Sequence, residues 1–340
     1  MSSNFYKLKV KEIIRESINA VSVVFELPAN LSETFKYEAG QYLTLMTSIK
    51  GEEVRRAYSL SSCPETETEL KVSVKKIEGG LMSSYLFDDL NTGDVLEVMP
   101  PQGSFINKTS SKELVLFAAG SVITPIISIL KSALHHGKQK LTLFYGNRSE
   151  EETMFKTELS NLQNTSTDLT IQFFESQKGE RLDREMTKKL VQHIDTDVNY
   201  FICGPEGMIA EVKAGLENSN VDSNRINIEY FASPKKEKNE SQTVVSGDVL
   251  DIVMVLDDET YEFRLNPNET ILEGGERLGI DPPFSCQSGV CTTCKCKVLS
   301  GEVEMENNFG LGDDEVEEGY ILSCISTPKT PGVKVSWDDV

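Results

Sequence analysis

The segment FSCQSGVCTTCKCKV at 284–298 contains four of the seven cysteines of this 340-residue chain. Cys286, Cys291 and Cys294 follow one another with four and two intervening residues, a spacing typical of the plant-type iron–sulfur centre. Such a centre takes three thiolates from one loop and a fourth from a more distant part of the chain. The spacing therefore predicts a further cysteine ligand outside this arrangement.

Cys324, in GYILSCISTP, is the candidate for the fourth ligand, and 29 residues separate it from Cys294. Cys296 is the less favourable candidate, because a strand that starts near Lys295 fixes the direction of its side chain by the pleat. The predicted ligands are Cys286, Cys291, Cys294 and Cys324.

A structural zinc site with four thiolates is the alternative reading of these cysteines. Zinc sites usually consist of two short cysteine pairs, whereas the distant partner is single here. A Rieske centre needs two histidines, and His135, His136 and His193 are all far from the loop in sequence. The pattern favours an iron–sulfur centre.

A second motif, RRAYSLSS, ends a predicted strand. Alternate residues of a strand face the same way, so Arg56 and Tyr58 could meet a phosphate and an aromatic ring, and the backbone around Ser59 a ring nitrogen. An amphipathic edge strand explains the same pattern. The following EGGLMSSYLFDDL places two glycines and a serine at a helix start, where free amides attract a phosphate.

The elements around these motifs indicate several domains. Six short period-2 segments between 5 and 105, with a helical insert near 83–90, predict a small antiparallel β-barrel. From 113 onward strands and helices alternate, which predicts a parallel, doubly wound α/β sheet. A polar segment after Phe231 is typical of a linker, and the tail has a hairpin, a helix near 270–279 and closing strands. The predicted domains are 1–110 (barrel), 111–231 (α/β), 232–248 (linker) and 249–340 (the α+β domain with the cysteine loop).

Composition and charge limit the possible partners. The net charge is −20, and the residues from Val249 onward carry 19 Asp and Glu against 6 Lys and Arg, a net −13. That acidity argues against nucleic acid or an anionic membrane as partner, and it suits a basic docking patch on another protein. Acidic residues that only keep the domain soluble are the alternative. No run of about 18 apolar residues occurs, so we expect a cytoplasmic protein with reduced cysteines.

Six motifs in one order resemble a known family. They are RAYSL, GGLMSSYL, AAGSVITPIISIL, YGNRSEEETMF, FICGPEGM and CQSGVCTTCKCKV. In this order they are similar to the ferredoxin-NADP reductase-like iron–sulfur flavoprotein reductases, over nearly the whole chain. The resemblance implies an FAD-binding barrel, an NADPH-binding α/β domain and a β-grasp ferredoxin domain with a [2Fe-2S] cluster, in which Cys296 is a bystander.

The resemblance also implies a flavin site. Arg56 would hold the FAD pyrophosphate, Tyr58 would pack on the isoalloxazine ring, and Ser59 would lie near flavin N5. The other expected FAD-binding positions are Leu60, Gly80, Met82 and Ser83.

By the same resemblance AAGSVITP would bind the pyrophosphate of the nicotinamide nucleotide. Gly120 and Thr124 are the main positions, with Ser121 and Pro125 beside them. Family members usually read G-S-G-I-T-P, and Val122 stands here in place of a glycine. Because a β-branched residue restricts the backbone and its approach to phosphate, we expect Val122→Gly to lower the KM for NADPH.

The choice between the two nicotinamide nucleotides depends on charge at the strand ends. Folds that use NAD usually place an acid near the adenosine ribose, whereas NADP needs cations. Arg148 in YGNRS, with Ser176 and Arg181 in FESQKGERL, favours NADPH, the alternative being that Arg148 is a solvated surface residue. The resemblance puts Cys203 near nicotinamide C4, although a cysteine that ends an apolar strand is often only core. The remaining expected positions around the two rings are Gly204, Pro205, Glu229 and Phe231. The predicted catalytic positions are Tyr58, Ser59 and Cys203.

These cofactors together imply a converter of two-electron into one-electron chemistry. NADPH gives up a hydride, the flavin accepts both electrons, and the cluster carries one at a time. The recipient implied by the resemblance is an oxygenase component, with the phenylacetyl-CoA epoxidase complex of phenylacetate degradation favoured. The open alternatives are a reductase of another aromatic-ring or di-iron oxygenase, and an electron carrier or docking protein with NADPH oxidation impaired at Val122.

Overall fold

The structure is a computed structural model that describes residues 5–194, 197–231 and 250–340. They fall into two compact units, one that ends at Phe231 and one that contains the residues from 250 onward. The predicted linker at 232–248 lies outside the described residues, and the predicted domain boundaries stay predictions.

The first part of the N-terminal unit is an antiparallel sheet. Its strands are β1 (Tyr6–Ser17), β2 (Ala20–Glu26), β3 (Tyr42–Ile49), β4 (Glu52–Ser59), β5 (Leu70–Lys75) and β6 (Val95–Val98), with one helix, α1 (Leu81–Asp88), after β5. The strand order is β4-β3-β6-β1-β2-β5, and an isolated bridge between Leu60 and Val72 joins the ends of β4 and β5. The sheet therefore closes on itself, which confirms the predicted barrel and its helical insert.

Alternation of side chains builds the core of the barrel. Leu8 and Val10 of β1 are fully buried, whereas Lys7 and Lys9 are exposed. Successive residues of a strand point to opposite faces, so this period-2 sequence presents an apolar face inward. Burying each such Leu or Val contributes about 1.5–3 kcal/mol.

The second part of the unit is a parallel sheet. Its strands are β7 (Glu113–Ala119), β8 (Lys140–Asn147), β9 (Leu169–Glu175), β10 (Val198–Cys203) and β11 (Ile226–Glu229), and its helices are α2 (Ile123–His136), α3 (Lys156–Thr165), α4 (Arg184–Val191) and α5 (Glu206–Glu217). All pairs are parallel, in the order β11-β10-β7-β8-β9, which confirms the predicted doubly wound sheet. The chain order reverses between β7 and β10, and ligands of such sheets bind at the carboxyl ends of the strands at this point.

The helix after β7, α2, is capped at its C-terminus by a glycine. It has 14 residues, and the residue after it, Gly137, has a φ of 59°, so that its amide donates to the carbonyls of Ala133 and Leu134 at 3.1 Å. This is a left-handed C-cap, which glycine adopts without strain.

Among the described residues, no helix combines the length and the apolar character needed to cross a membrane.

Buried polar contacts fix the barrel against the parallel sheet. The ammonium group of Lys131 in α2 lies 2.5 Å from the carboxylate of Glu67, and that of Lys75 in β5 lies 2.7 Å from Glu152. Both lysines are largely shielded from solvent, so these pairs are screened less than exposed ones. These ion pairs join the barrel and the parallel sheet within one compact unit.

The C-terminal unit is a mixed sheet with two short helices. Its elements are β12 (Leu250–Leu256), β13 (Glu259–Leu265), α6 (Ile271–Arg277), β14 (Lys295–Ser300), β15 (Val303–Met305), α7 (Asp313–Glu317), β16 (Tyr320–Leu322), β17 (Ser326–Pro328) and β18 (Val333–Ser336). The main sheet has the order β13-β12-β18-β14-β16, and β15 pairs with β17. The Thr270 side chain caps α6 in a reciprocal pair with Glu273. The predicted hairpin, helix and strand near Lys295 are confirmed.

Candidate functional site

The cysteine loop lies between α6 and β14, and it brings four thiols together. Cys291, Cys294 and Cys324 are buried, and Cys286 is partly buried. The amide of Cys291 donates to the sulfur of Cys286 at 3.3 Å. Cys286 also interacts with the thiols of Cys291 and Cys324, and Cys324 interacts with that of Cys294. The four predicted ligands therefore form one connected group, which we call the thiol pocket.

The ionisation of these thiols is coupled. Hydrogen bonds from the thiols of Cys291 and Cys324 hold the pKa of Cys286 far below its usual range. The same contacts, from the side of the donor, raise the pKa of Cys324. A thiolate is the form that binds metal, so the pocket already favours one anionic sulfur among its neighbours. Soft thiolate donors are the ligand set that iron–sulfur clusters use.

Cys296 lies outside the thiol pocket although it is close in sequence. It is fully buried on β14 and packs into the main core of the C-terminal unit with Ile252 and Met254. Cys294 and Cys324 belong to a separate cluster of buried residues. The pleat directs the side chain of Cys296 toward the sheet core.

Gly289 shapes the loop around the pocket. Its φ is +75°, and a Cβ at this position would lie 2.6 Å from the carbonyl oxygen of Asn307. The carbonyl of Gly289 also accepts a hydrogen bond from the amide of Phe309 at 2.9 Å. A side chain cannot be accommodated here without displacement of backbone, so the tight wrapping of the loop depends on glycine.

The flavin-type motif lies at the end of β4. Arg56 is exposed and donates to the carbonyl of Arg55 at 2.6 Å, and Tyr58 is largely covered, which raises the pKa of its phenol. Ser59 and Leu60 are buried, and Leu60 packs in the barrel core. Arg56 and Tyr58 thus share one face, whereas Ser59 and Leu60 are available to a ligand chiefly through their backbone.

The start of α1 presents amides rather than side chains. Gly80 is the N-cap, Met82 packs in the barrel core, and the hydroxyl of Ser83 accepts from the amide of Ile77 at 3.2 Å. A Cβ at Gly80 would lie 2.4 Å from the Ser83 hydroxyl oxygen. Any phosphate bound here would be held by backbone N–H groups and the helix dipole.

The turn after β7 contains the predicted pyrophosphate motif, including Val122. Gly120 has the positive φ, +59°, whereas Val122 has φ −78°, which any residue adopts. The Val122 side chain is 9% exposed and packs in the core of the parallel sheet. The hydroxyl of Thr124 donates to the carbonyl of Ser121 at 3.3 Å, and Pro125 is buried. The backbone at Val122 is therefore unstrained, and the effect of its side chain on the nucleotide stays a prediction.

The predicted cation site lies at the carboxyl ends of β8 and β9. The amide of Gln177 donates to the carbonyl of Arg148 at 3.2 Å, which joins the two strand-end loops. Arg148, Ser176 and Arg181 are all exposed, and the Arg148 side chain is 71% exposed. The structure brings these loops together and leaves both guanidinium groups accessible to a ligand.

Sequence reasoning missed Glu152, which faces Arg148 at 3.9 Å. The carboxylate also accepts hydrogen bonds from Lys75 at 2.7 Å and from Asn19 at 3.3 Å. The hydrogen bond from Lys75 holds the pKa of Glu152 below its usual range. Only the acidic run that follows Arg148 in sequence hinted at it, because both barrel partners are remote in the chain.

Cys203, which is fully buried, and Glu229, which is half-buried, lie side by side at the ends of β10 and β11. They are direct partners in the parallel register, and one carboxylate oxygen of Glu229 is buried without a hydrogen-bond partner in the described part of the chain. Burial raises the pKa of Glu229 to about 8. Burial also raises the pKa of the Cys203 thiol, and the charge of Glu229 adds to this shift. Both groups are therefore uncharged near neutral pH.

Three further predicted positions surround this pair. A Cβ at Gly204 would lie 2.4 Å from the methyl carbon of Met208, so a larger residue there would require this flexible side chain to move. Pro205 is the N-cap of α5, and Phe231 is exposed at the end of the described unit. Gly204 and Pro205 follow β10 and Gly120 follows β7, so all three lie at the carboxyl ends of neighbouring parallel strands.

Three family models match the chain in order. They describe an oxidoreductase FAD-binding domain over 7–106, an oxidoreductase NAD-binding domain over 116–214 and a 2Fe-2S iron–sulfur cluster binding domain over 254–329. These matches agree with the barrel, the parallel sheet and the thiol pocket of the structure.

Similarity to characterised proteins extends over the full length. The chain is 36% identical to the ferredoxin reductase component of 3-ketosteroid-9-alpha-monooxygenase from Rhodococcus rhodochrous, over 97% of this chain and 96% of that protein. It is 35% identical to one of the subunits of 1,2-phenylacetyl-CoA epoxidase from Escherichia coli, over 99% and 98%. The fold matches that of phthalate dioxygenase reductase with a TM-score of 0.64 at 24% identity, over 98% of both chains. The chain thus belongs to the family of ferredoxin-NADP reductase-like iron–sulfur flavoprotein reductases.

Proposed function

We propose that this chain is an NADPH-dependent reductase that delivers single electrons to the oxygenase component of a phenylacetyl-CoA epoxidase. The observation that carries the proposal is that one chain has both a parallel sheet of the nucleotide-binding type and a pocket of four thiols. The same protein would then bind a two-electron donor and hold a one-electron carrier. The 35% identity to a subunit of 1,2-phenylacetyl-CoA epoxidase supports this choice of partner.

The donor groups of the chain suit the three bound groups that the family uses. The thiol pocket would hold the [2Fe-2S] cluster. Arg56, Tyr58 and the amides at the start of α1 would hold FAD, and the turn at Gly120 with the cations at Arg148 and Arg181 would hold NADPH. When bound, FAD accepts hydride from NADPH and the cluster carries one electron at a time.

Glu229 and Cys203 set the polarity at the ends of β11 and β10. Glu229 retains its proton near neutral pH because burial raises its pKa to about 8, and the buried Cys203 thiol also stays protonated. An uncharged wall suits the neutral, reduced nicotinamide ring better than the cationic, oxidised one, since a nearby carboxylate would attract the cation.

Preference for NADPH would come from Arg148. The 2′-phosphate is a dianion, and a charged hydrogen bond to it contributes about 1.5–3 kcal/mol. We expect Arg148→Ala to raise the KM for NADPH about tenfold, or about 1.4 kcal/mol, and to change that for NADH little. Arg184→Ala is the matched control, because Arg184 is an exposed arginine that pairs with Glu211 on α5. Equal changes for both nucleotides, or a wild type that prefers NADH, would refute the NADPH assignment.

The oxygenase partner is tested by reconstitution. The purified oxygenase components of phenylacetyl-CoA epoxidase, supplied with this chain and NADPH, should turn over substrate. A 3-ketosteroid-9-alpha-monooxygenase oxygenase is the second candidate, because a reductase component of that system is 36% identical to this chain. Higher turnover with the second oxygenase would reassign the partner. Failure of NADPH to reduce even an artificial acceptor would favour the electron-carrier alternative.

We also infer a cytoplasmic location. The thiols that would hold the cluster must remain reduced until it is inserted, and the cytosol maintains that state.

A further inference from the structure

Two buried hydroxyl groups of the C-terminal unit form no hydrogen bond of ordinary geometry within the described part of the chain. They belong to Ser285, which is 3% exposed, and Ser323, which is fully buried. A buried hydroxyl that makes no hydrogen bond costs free energy, so each such group in a native protein needs an explanation.

Both hydroxyls lie beside the thiol pocket. Ser285 directly precedes Cys286, and Ser323 directly precedes Cys324. The amide of Ser323 donates to the carbonyl of Cys294 at 3.2 Å, which holds this residue against the loop. The Ser323 hydroxyl is also close enough to the Cys294 thiol to interact with it. The two serines therefore stand next to the first and the last of the four predicted ligands.

Other buried serines of the same unit have found partners. The hydroxyl of Ser326 donates to the carbonyl of Leu322 at 2.6 Å, and that of Ser336 accepts from the amide of Asp338 at 3.2 Å. The unit can thus satisfy a buried hydroxyl through its own backbone. The two hydroxyls that it does not satisfy in this way are next to cysteines that we assign to the cluster.

We propose that Ser285 and Ser323 donate hydrogen bonds to sulfur atoms of the bound [2Fe-2S] cluster and raise its reduction potential. This inference rests on the cluster assignment of the proposed function. One-electron reduction adds negative charge to a buried group, and a hydroxyl that points its proton at sulfur stabilises the reduced form more than the oxidised form. No bond is made or broken at the serine, and the proton stays on its oxygen.

The amide of Cys291 shows that such donation occurs in the pocket, since it already points at the sulfur of Cys286. Ser285 would add a side-chain donor next to Cys286, and Ser323 one near Cys294 and Cys324. Trapped water is the competing explanation for both hydroxyls, and it would leave the potential of the cluster insensitive to their removal.

The test is a redox titration of the full-length protein, loaded with flavin and cluster and followed by EPR of the reduced cluster. We compare the wild type with Ser285→Ala, Ser323→Ala and the double variant, and use Ser336→Ala as the control. The midpoint potential should fall in each single variant and fall furthest in the double variant, while the control stays at the wild-type value. Ser323→Thr, which keeps a hydroxyl, should have a midpoint potential close to that of the wild type.

A second readout separates the hydrogen bond from a general loosening of the pocket. After exchange into deuterated buffer, hyperfine couplings from exchangeable protons near the cluster should be weaker in the alanine variants. Potentials unchanged in every variant, with wild-type iron and sulfide contents, would overturn the inference. A wild type without a cluster EPR signal would instead overturn the proposed function.

Discussion

The thiol pocket and the exposed arginines at the ends of β8 and β9 differ in how they would meet a bound group. The donors of the pocket are largely buried and interact with one another. Arg148 and Arg181 instead extend into solvent from their strand-end loops. A cluster must be enclosed by ligands at fixed positions, whereas a phosphate dianion is attracted by charge and can order exposed arginines on arrival. A single substitution in the pocket should therefore abolish cluster binding, whereas a single substitution at the strand ends should only weaken nucleotide binding.

The largest effect is expected for a cluster ligand. Cys324→Ala should abolish the cluster, because three thiolates cannot complete the ligation of two irons. Cys296→Ala is the matched control, since Cys296 is equally buried but packs in the sheet core. Iron and acid-labile sulfide contents with EPR measure the outcome. Loss of the cluster in Cys296→Ala with retention in Cys324→Ala would reverse the ligand assignment.

The next largest effect is expected on stability and concerns Glu229, the last residue of β11. Burial raises the pKa of Glu229 from 4.5 to about 8, so the folded protein holds this proton over a range in which the unfolded chain releases it. Its contribution to stability is complete below about pH 4.5 and is lost as the pH rises through 8, by at most about 1.4 kcal/mol per pH unit.

Glu229→Gln should remove this slope. The free energy of unfolding, measured for both proteins between pH 5 and 9, should converge at low pH and favour the glutamine variant at high pH. Glu211→Gln, on an exposed helix face, serves as the control. Parallel curves for wild type and Glu229→Gln would show that the carboxyl is not held neutral.

A smaller loss of stability is expected for a substitution at the turn of the cysteine loop. Gly289→Ala combines a left-handed backbone with a close approach to the Asn307 carbonyl, whereas Gly279→Ala has a similar φ, +76°, and open space. The control should lose about 1 kcal/mol from backbone strain, and Gly289→Ala about 1–3 kcal/mol more from overpacking. Fluorescence of Trp337, the single tryptophan of the chain and part of the core of this unit, follows unfolding. Equal losses at the two glycines would contradict the tight wrapping.

The smallest effect on nucleotide binding is expected at Val122. Its backbone has an ordinary φ and its side chain packs in the core, so the structure predicts an unchanged KM for NADPH in Val122→Gly, whereas the motif alone predicts a lower one. The variant should instead lose about 2 kcal/mol of stability, because a buried side chain is removed. A lower KM would show that the valine does hinder the nucleotide.

The sequence predicted the parts of the site that are local. Cys286, Cys291 and Cys294 lie within one loop, and their spacing alone specifies a ligand set. The barrel and the parallel sheet were predicted because a period of two, and alternation of strands with helices, follow directly from which faces are buried.

What sequence could not predict depends on contacts between remote segments. The neutral state of Glu229 arises because β11 lies beside β10, and the pairing of Glu152 with Lys75 spans 77 residues. Leu60 and Met82 were predicted to bind FAD, but their side chains pack in the barrel core, so only their backbone can serve a ligand. Motifs identify positions, and burial decides which atoms of those positions are accessible.

The central claim is that one chain takes electrons in pairs from NADPH and passes them on singly. Anaerobic titration of the purified protein with NADPH, with NADH in parallel and with absorbance recorded, tests it most directly. We expect NADPH to bleach both the flavin and the iron–sulfur bands, and NADH to do so less effectively. A protein that contains both groups and keeps both bands unchanged with either nucleotide would contradict the claim.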